Sequence, residues 1–160
     1  MELRIDGWRK GVRFSASHII PGHAQCGRMH GHTYAVHCVL RGEPAPGDGF
    51  IVDFNVLSAA LKRVTDRLDH KLLLPSQHAA MDLKESEREV TFVAGGKRYA
   101  LPREDVELLP IPNCSAEHLS QHCLDALLAE LRPGPNVREV LVGVDEGYGK
   151  GAWATRVLRP

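Results

Sequence analysis

Residues 18–34 read HIIPGHAQCGRMHGHTY, and the alternation that closes this stretch decides how the neighbouring chain must fold. His30 and His32 are separated only by Gly31. In an extended strand successive side chains point to opposite faces, so the two imidazoles project from one face a few ångströms apart. That spacing suits two ligands of one metal ion. Gly31 leaves the other face open to close approach by a backbone or a ligand. His18 offers a third nitrogen upstream. Three neutral imidazoles without an obvious fourth protein ligand describe a catalytic zinc site, since structural zinc sites close four positions and lean on cysteine. Water or substrate would take the fourth position. Cys26 lies just before the His30-Gly31-His32 triplet, and a thiol beside a divalent cation ionises more readily. Any one of these histidines alone would be an ordinary polar residue; the same-face pair and the nearby thiol together make the case.

The rest of the composition sets bounds on that site. A chain of 160 residues fits one domain with a real hydrophobic core. Cys26, Cys38, Cys114 and Cys123 form no CxxC pair and no dense framework, which argues for reduced thiols in a cytoplasmic protein. Lys plus Arg equals Asp plus Glu at 20 each, so no global field would draw in nucleic acid or an anionic membrane. An anionic ligand would have to be held by local charges. No apolar run is long enough to cross a bilayer and no export signal is visible, so a soluble protein is expected.

Around the histidines the chain alternates strands and helices. Leu3 to Phe14, with Gly7 and Gly11 inside, suggests a bent or hairpin-forming strand that leads to His18. Ile19 to Met29, with Pro21, Gly22 and Gly27, is a loop that delivers Cys26. From Tyr34 to Leu40, the residues Tyr34, Val36, Cys38 and Leu40 share one face, and His37 falls on the other, which leaves it out of the site. A Pro/Gly-rich turn over residues 42–49 precedes Asp53, a helix cap. Leu57, Leu61, Val64 and Leu68 then form one apolar helical stripe ending near Asp69-His70. That Asp could hold the tautomer of the ring or raise its basicity. Residues 75–112 look like an insertion, with a hairpin from Val90 to Leu101 around Gly95-Gly96. Ser115 caps a second helix to Leu131, with Leu119, Cys123, Leu127 and Leu131 at helical spacing. His118 and His122 are spaced to share a metal but lack a third ligand. Two last strands, Val137–Val144 and Trp153–Leu158, flank a Gly-rich loop with Glu146 where strand meets loop. Antiparallel hairpins with two one-sided helices give an α+β domain, its helices on one sheet face.

Phe14 to His18, Cys26 to His32, Asp53-Phe54, Leu68-Asp69-His70 and Asn113 to Glu117 together resemble the 6-pyruvoyltetrahydropterin synthase family, in order and over nearly the whole chain. The short Cys26-to-His30 spacing is most similar to the 6-carboxytetrahydropterin synthase branch, which feeds queuosine and other deazapurines. Two departures from the family pattern are Gly147 after Glu146, where Thr is common, and Cys114-Ser115, where Pro-Thr is common. The resemblance implies a tunnelling fold (T-fold) in which trimers close their sheets into a barrel and two trimers stack as a hexamer, with active sites between subunits. It implies His18, His30 and His32 as zinc ligands, Cys26 as the proton-abstracting thiol, and Asp69 with His70 as the acid/base pair, which can come from a neighbouring subunit. Glu146 would grip the guanidine-like edge of a pterin. Arg28 and Lys71 are the nearest cations for a triphosphate.

The implied reaction converts 7,8-dihydroneopterin triphosphate to 6-carboxytetrahydropterin, acetaldehyde and triphosphate. No nicotinamide or flavin is needed, because the ring is reduced by internal tautomerisation, and no dinucleotide-binding glycine motif occurs. Three other readings stay open at this point. They are release of triphosphate alone to give 6-pyruvoyltetrahydropterin, a zinc-hydroxide hydrolase or lyase with Cys26 merely structural, and a non-catalytic pterin-binding protein.

Overall fold

The computed structural model describes residues 1–47 and 49–159, and Asp48 in the turn expected over residues 42–49 lies outside them. The described strands and α-helices are, in order, β1 (Glu2–Ile5), α1 (Gly7–Lys10), β2 (Arg13–His18), β3 (His30–Gly42), α2 (Phe54–Leu68), β4 (Leu72–Pro75), β5 (Lys84–Glu85), β6 (Glu89–Ala94), β7 (Lys97–Pro102), β8 (Val106–Leu109), α3 (Ala116–Leu131), β9 (Val137–Asp145) and β10 (Gly151–Val157).

Strand β3 is the hub. One of its edges pairs with β9, from Ala35↔Asp145 to Gly42↔Val137. The other takes β1 and β2 in succession, Ile5↔Cys38 and then Arg13↔Ala35. The expected bent strand is therefore two strands in line, interrupted by the single helical turn α1. Gly7 opens that turn against β3 so closely that an added Cβ would meet the Val36 carbonyl oxygen at 2.4 Å. The main sheet runs β10-β9-β3-β2-β4-β8, with β1 beside β3. It is antiparallel except where β4 pairs with β2 and with β8, both in parallel.

The even-numbered side chains of β3 from Tyr34 to Leu40 are fully buried. They share one core with Leu57, Leu61, Val64 and Leu68 of α2 and Leu119, Cys123 and Leu127 of α3, so both helices lie on that face as their stripes predict. Asp53 caps α2, its Oδ1 accepting from the Asn55 and Val56 backbone amides. Ser115 stands at the start of α3 but makes no side-chain cap; its hydroxyl instead lies 3.2 Å from His118 Nδ1.

Residues 75–112 hold more than a hairpin. β6 and β7 pair around Gly95-Gly96 as expected and with β5 make a small second sheet. Strand β8, however, closes the main sheet, and Leu109 and Ile111 belong to the main core. A second cluster of Ile19, Leu72, Leu74, Val90, Phe92 and Val106 fastens the small sheet to β4 and β8. No described helix is long and apolar enough to cross a membrane.

Candidate functional site

The pleat that buries Tyr34 also carries the histidines, because His30 and His32 continue its even-numbered face to the end of β3. In the antiparallel register His18 stands opposite His30. The ligand atoms of His18, His30 and His32 all lie within 4.8 Å of one another. No other cluster of three or more such ligands occurs among the described residues, so His118 and His122 stay without a third ligand.

Backbone carbonyls orient two of the three rings. His18 Nδ1 lies 2.8 Å from the Cys114 carbonyl oxygen and His30 Nδ1 lies 2.8 Å from that of Arg28. A carbonyl only accepts, so each Nδ1 carries the proton and each Nε2 is left as a lone pair. Those two Nε2 atoms are 3.0 Å apart. Two lone pairs at that distance repel unless a cation sits between them, and this donor set fits a zinc ion. Burial holds the His18 imidazole down, to about 4, with a smaller push from the other two rings. Burial, then His30 and Lys150, also lowers His32. Neutral imidazole is the form that ligates a metal.

Glu146 reaches the same place from the end of β9. Its Oε1 is 3.9 Å from His18 Nδ1, and its backbone amide is pinned to the Lys150 carbonyl at 2.8 Å. Burial raises its carboxyl above the ordinary range, and nearby Glu117 adds to the rise, against the charges of His30 and Lys150. Tyr34 packs edge-on against His18 and His32. Its hydroxyl is buried without a hydrogen-bond partner among the described residues.

Cys26 is half-buried in a loop folded by its own backbone. The Ile20 amide donates to the Cys26 carbonyl at 2.8 Å and the Gly27 amide to that of His23 at 2.9 Å, while the Cys26 amide donates to His23 Nδ1 at 3.0 Å. An added Cβ on Gly27 would meet the His23 carbonyl oxygen at 2.4 Å, so the coil closes only with glycine there.

Asp69 and His70 stand apart from this group. His70 Nδ1 is 2.8 Å from Asp69 Oδ2, and Ser15 clamps the pair, its amide donating to Asp69 Oδ1 at 2.8 Å and its carbonyl accepting from the His70 amide at 2.7 Å. The Ser15 contact, then His70, holds the Asp69 carboxyl below its usual range. His70 adopts φ +58° and its ring is exposed. It opens onto a cleft of about 870 Å³ lined also by Ser15, Ser17, Gly31 and Thr33, the alternate face of the strands that carry the metal-type cluster. Edges of His30 and His32 reach that cleft, whereas His18, Cys26 and Glu146 do not line it.

The two cations expected near a triphosphate differ. Lys71 is committed through its ammonium to the Glu104 carbonyl. Arg28 makes no ion pair among the described residues and opens onto a separate cleft. His37 lies on the far face, as expected, with Nδ1 accepting from the Gly7 amide at 3.2 Å. The Cys114 and Arg28 carbonyls that orient the rings escape any reading of side chains, because a backbone acceptor leaves no residue-type signature.

A mixed sheet with both helices on one face and a three-histidine cluster at the end of its central strand is the tunnelling-fold class. The model of the 6-pyruvoyl tetrahydropterin synthase family matches residues 8–156, and the chain belongs to that family. A Methanocaldococcus jannaschii protein, provisionally named a 6-carboxy-5,6,7,8-tetrahydropterin synthase, is 38% identical over 160 residues, 99% of this chain and 98% of its own. A Bacillus subtilis protein named 6-carboxy-5,6,7,8-tetrahydropterin synthase is 33% identical over 99 residues, 61% of this chain and 56% of its own. Among solved structures, a Plasmodium vivax 6-pyruvoyl tetrahydropterin synthase superposes with a TM-score of 0.89 at 26% identity, covering 99% of this chain and 98% of that one.

Proposed function

We propose that the chain is a zinc-dependent lyase that converts 7,8-dihydroneopterin triphosphate and one water to 6-carboxytetrahydropterin, acetaldehyde and triphosphate, a step toward queuosine-type deazapurines. The observation that carries this reading is the pair of Nε2 lone pairs held 3.0 Å apart by carbonyl-locked rings, within a chain whose full-length relative bears the corresponding name. Zinc, when bound by His18, His30 and His32, supplies Lewis acidity that makes the substrate's side-chain hydroxyls more acidic.

The chain's own groups do the rest. Glu146 accepts hydrogen bonds from the guanidine-like edge of the pterin and fixes its orientation. Cys26 as thiolate removes the carbon-bound proton. His70, held by Asp69, returns a proton. Because Asp69 and His70 open onto the alternate face of the strands, they serve the site of an adjacent subunit in a homo-oligomer.

A second reading, release of triphosphate alone to give 6-pyruvoyltetrahydropterin, is favoured by the close superposition on the Plasmodium vivax enzyme. One experiment separates the two. Zinc-loaded protein is incubated with the triphosphate substrate, the pterin is identified by mass and acetaldehyde is trapped. Loss of two side-chain carbons as acetaldehyde is expected; an intact three-carbon side chain sinks the carboxy assignment. Elemental analysis should find about one zinc per chain, and undiminished zinc in a His30→Ala, His32→Ala double variant means the ligands are misassigned.

A further inference from the structure

A second cleft, of about 270 Å³, lies between the loop that carries Cys26 and the tip of the β6–β7 hairpin, walled by Gly22, His23, Arg28, Gly95 and Lys97 among others. No acidic side chain lines it. Neither Arg28 nor Lys97 makes an ion pair or a side-chain hydrogen bond among the described residues, whereas Lys71 is bound to the Glu104 carbonyl. His23 adds a third donor. Its Nδ1 accepts from the Cys26 amide, so the neutral ring carries its proton on Nε2. We propose that this cleft is the subsite for the phosphate groups of an oligophosphate ester, with Arg28 and Lys97 as its charged contacts and His23 as a neutral donor. The inference rests on the pterin-triphosphate reading and deepens it.

Two structural facts tie the cleft to the chemistry. The Arg28 carbonyl accepts from His30 Nδ1 at 2.8 Å, so one residue touches a metal-type ligand with its backbone and faces the cleft with its guanidinium. In this proposal the charged tail of an ester seated at the imidazoles runs past the Arg28 backbone into the cleft that its guanidinium lines. The position of Lys97 is not incidental either. Ile19, the residue after His18, is buried in the same cluster as Val90, Phe92 and Ala94 of β6, so core packing holds the hairpin tip opposite the loop. The tip itself is a two-residue turn in which Gly95 and Gly96 take φ of +58° and +74°, with open space where their side chains would be. Backbone at such a tip is accessible to an anion.

The test uses inorganic tripolyphosphate as the probe and zinc-loaded protein, with calorimetric titration of wild type, Lys97→Ala, Lys97→Glu, Lys97→Arg and Arg28→Ala. Lys97 is exposed at the first position of β7, so its variants fold. Chelation of zinc by the probe is common to all variants and cancels in the comparison. Affinity should fall about tenfold in Lys97→Ala and further in Lys97→Glu, with Lys97→Arg near wild type. With the pterin triphosphate, KM should rise in parallel while kcat holds. Equal tripolyphosphate affinity in wild type, Lys97→Glu and Arg28→Ala, alongside normal turnover, overturns the subsite and leaves the pterin reading standing. Lys97-dependent binding in a protein that never turns over the pterin supports the subsite and overturns the pterin reading instead.

Discussion

Four cysteines in one small protein have sharply different chemistry. Burial pushes the thiols of Cys38, Cys114 and Cys123 up to about 12 each, while Cys26 is half-exposed in its loop. Only the thiolate attacks an alkylating reagent, so iodoacetamide at neutral pH should modify native protein once per chain, at Cys26, and abolish turnover. Mass mapping that finds Cys38 or Cys123 modified in folded protein contradicts this burial. The same three thiols set an alkaline limit. Each has a folded pKa above its ordinary value of 9.0, so below pH 9 both folded and unfolded chains keep the proton and nothing is lost. As pH rises from about 9 toward 12 the unfolded chain releases protons that the folded chain retains, and stability falls. Urea midpoints measured from pH 8 to 11 should therefore decline, and replacing Cys38 by Ala should flatten the decline.

At the scale of single elements, α2 was readable because it has one dry side and one wet side. Leu57, Leu61, Val64 and Leu68 repeat at helical spacing, and all four are buried. Leu61→Ala should destabilise by about 2–5 kcal/mol through lost contacts and the cavity left behind, and Asp53→Ala by about 0.5–2 kcal/mol through the lost cap; denaturant unfolding reads both. β3 was equally plain, its even-numbered residues passing from ligand-type histidines to core without a break in the pleat. β4 was not. Leu73 faces the helical core while Leu72 and Leu74 face the hairpin core, so the strand is apolar on both sides and has no period to detect. Its parallel partner β8 was hidden likewise, and with it the parallel part of the sheet. The helical turn α1 has only four residues, too few to show a period, and Gly7 and Gly11 mark no more than a bend. The site followed the same rule. Its side chains announced themselves by type and spacing, whereas the Cys114 and Arg28 carbonyls and the commitment of Lys71 depend on where backbone far away in sequence arrives.

At the scale of the whole molecule, the path of the main sheet ends at β10 and β8, each of which pairs on one side only among the described residues. On β10, Trp153 is 51% and Val157 62% exposed, an apolar edge that an isolated domain would leave open to uncontrolled pairing. Closure of such edges between identical copies gives a ring. Light scattering should return a mass above that of a dimer, and a clean monomer would refute the closed arrangement. The Ser15 clamp that holds Asp69 and His70 at the cleft on the alternate face of β2 and β3 then has a consequence for mixed populations. If every site borrows its imidazole from the neighbouring chain, Cys26→Ala and His70→Ala proteins, each dead alone, carry lesions in different halves of a shared centre. Unfolded together and reassembled at equal amounts, they should regain about a quarter of wild-type turnover, the fraction of random contacts that unite an intact thiol with an intact imidazole. A mixture as inactive as its parents would mean that each chain works alone.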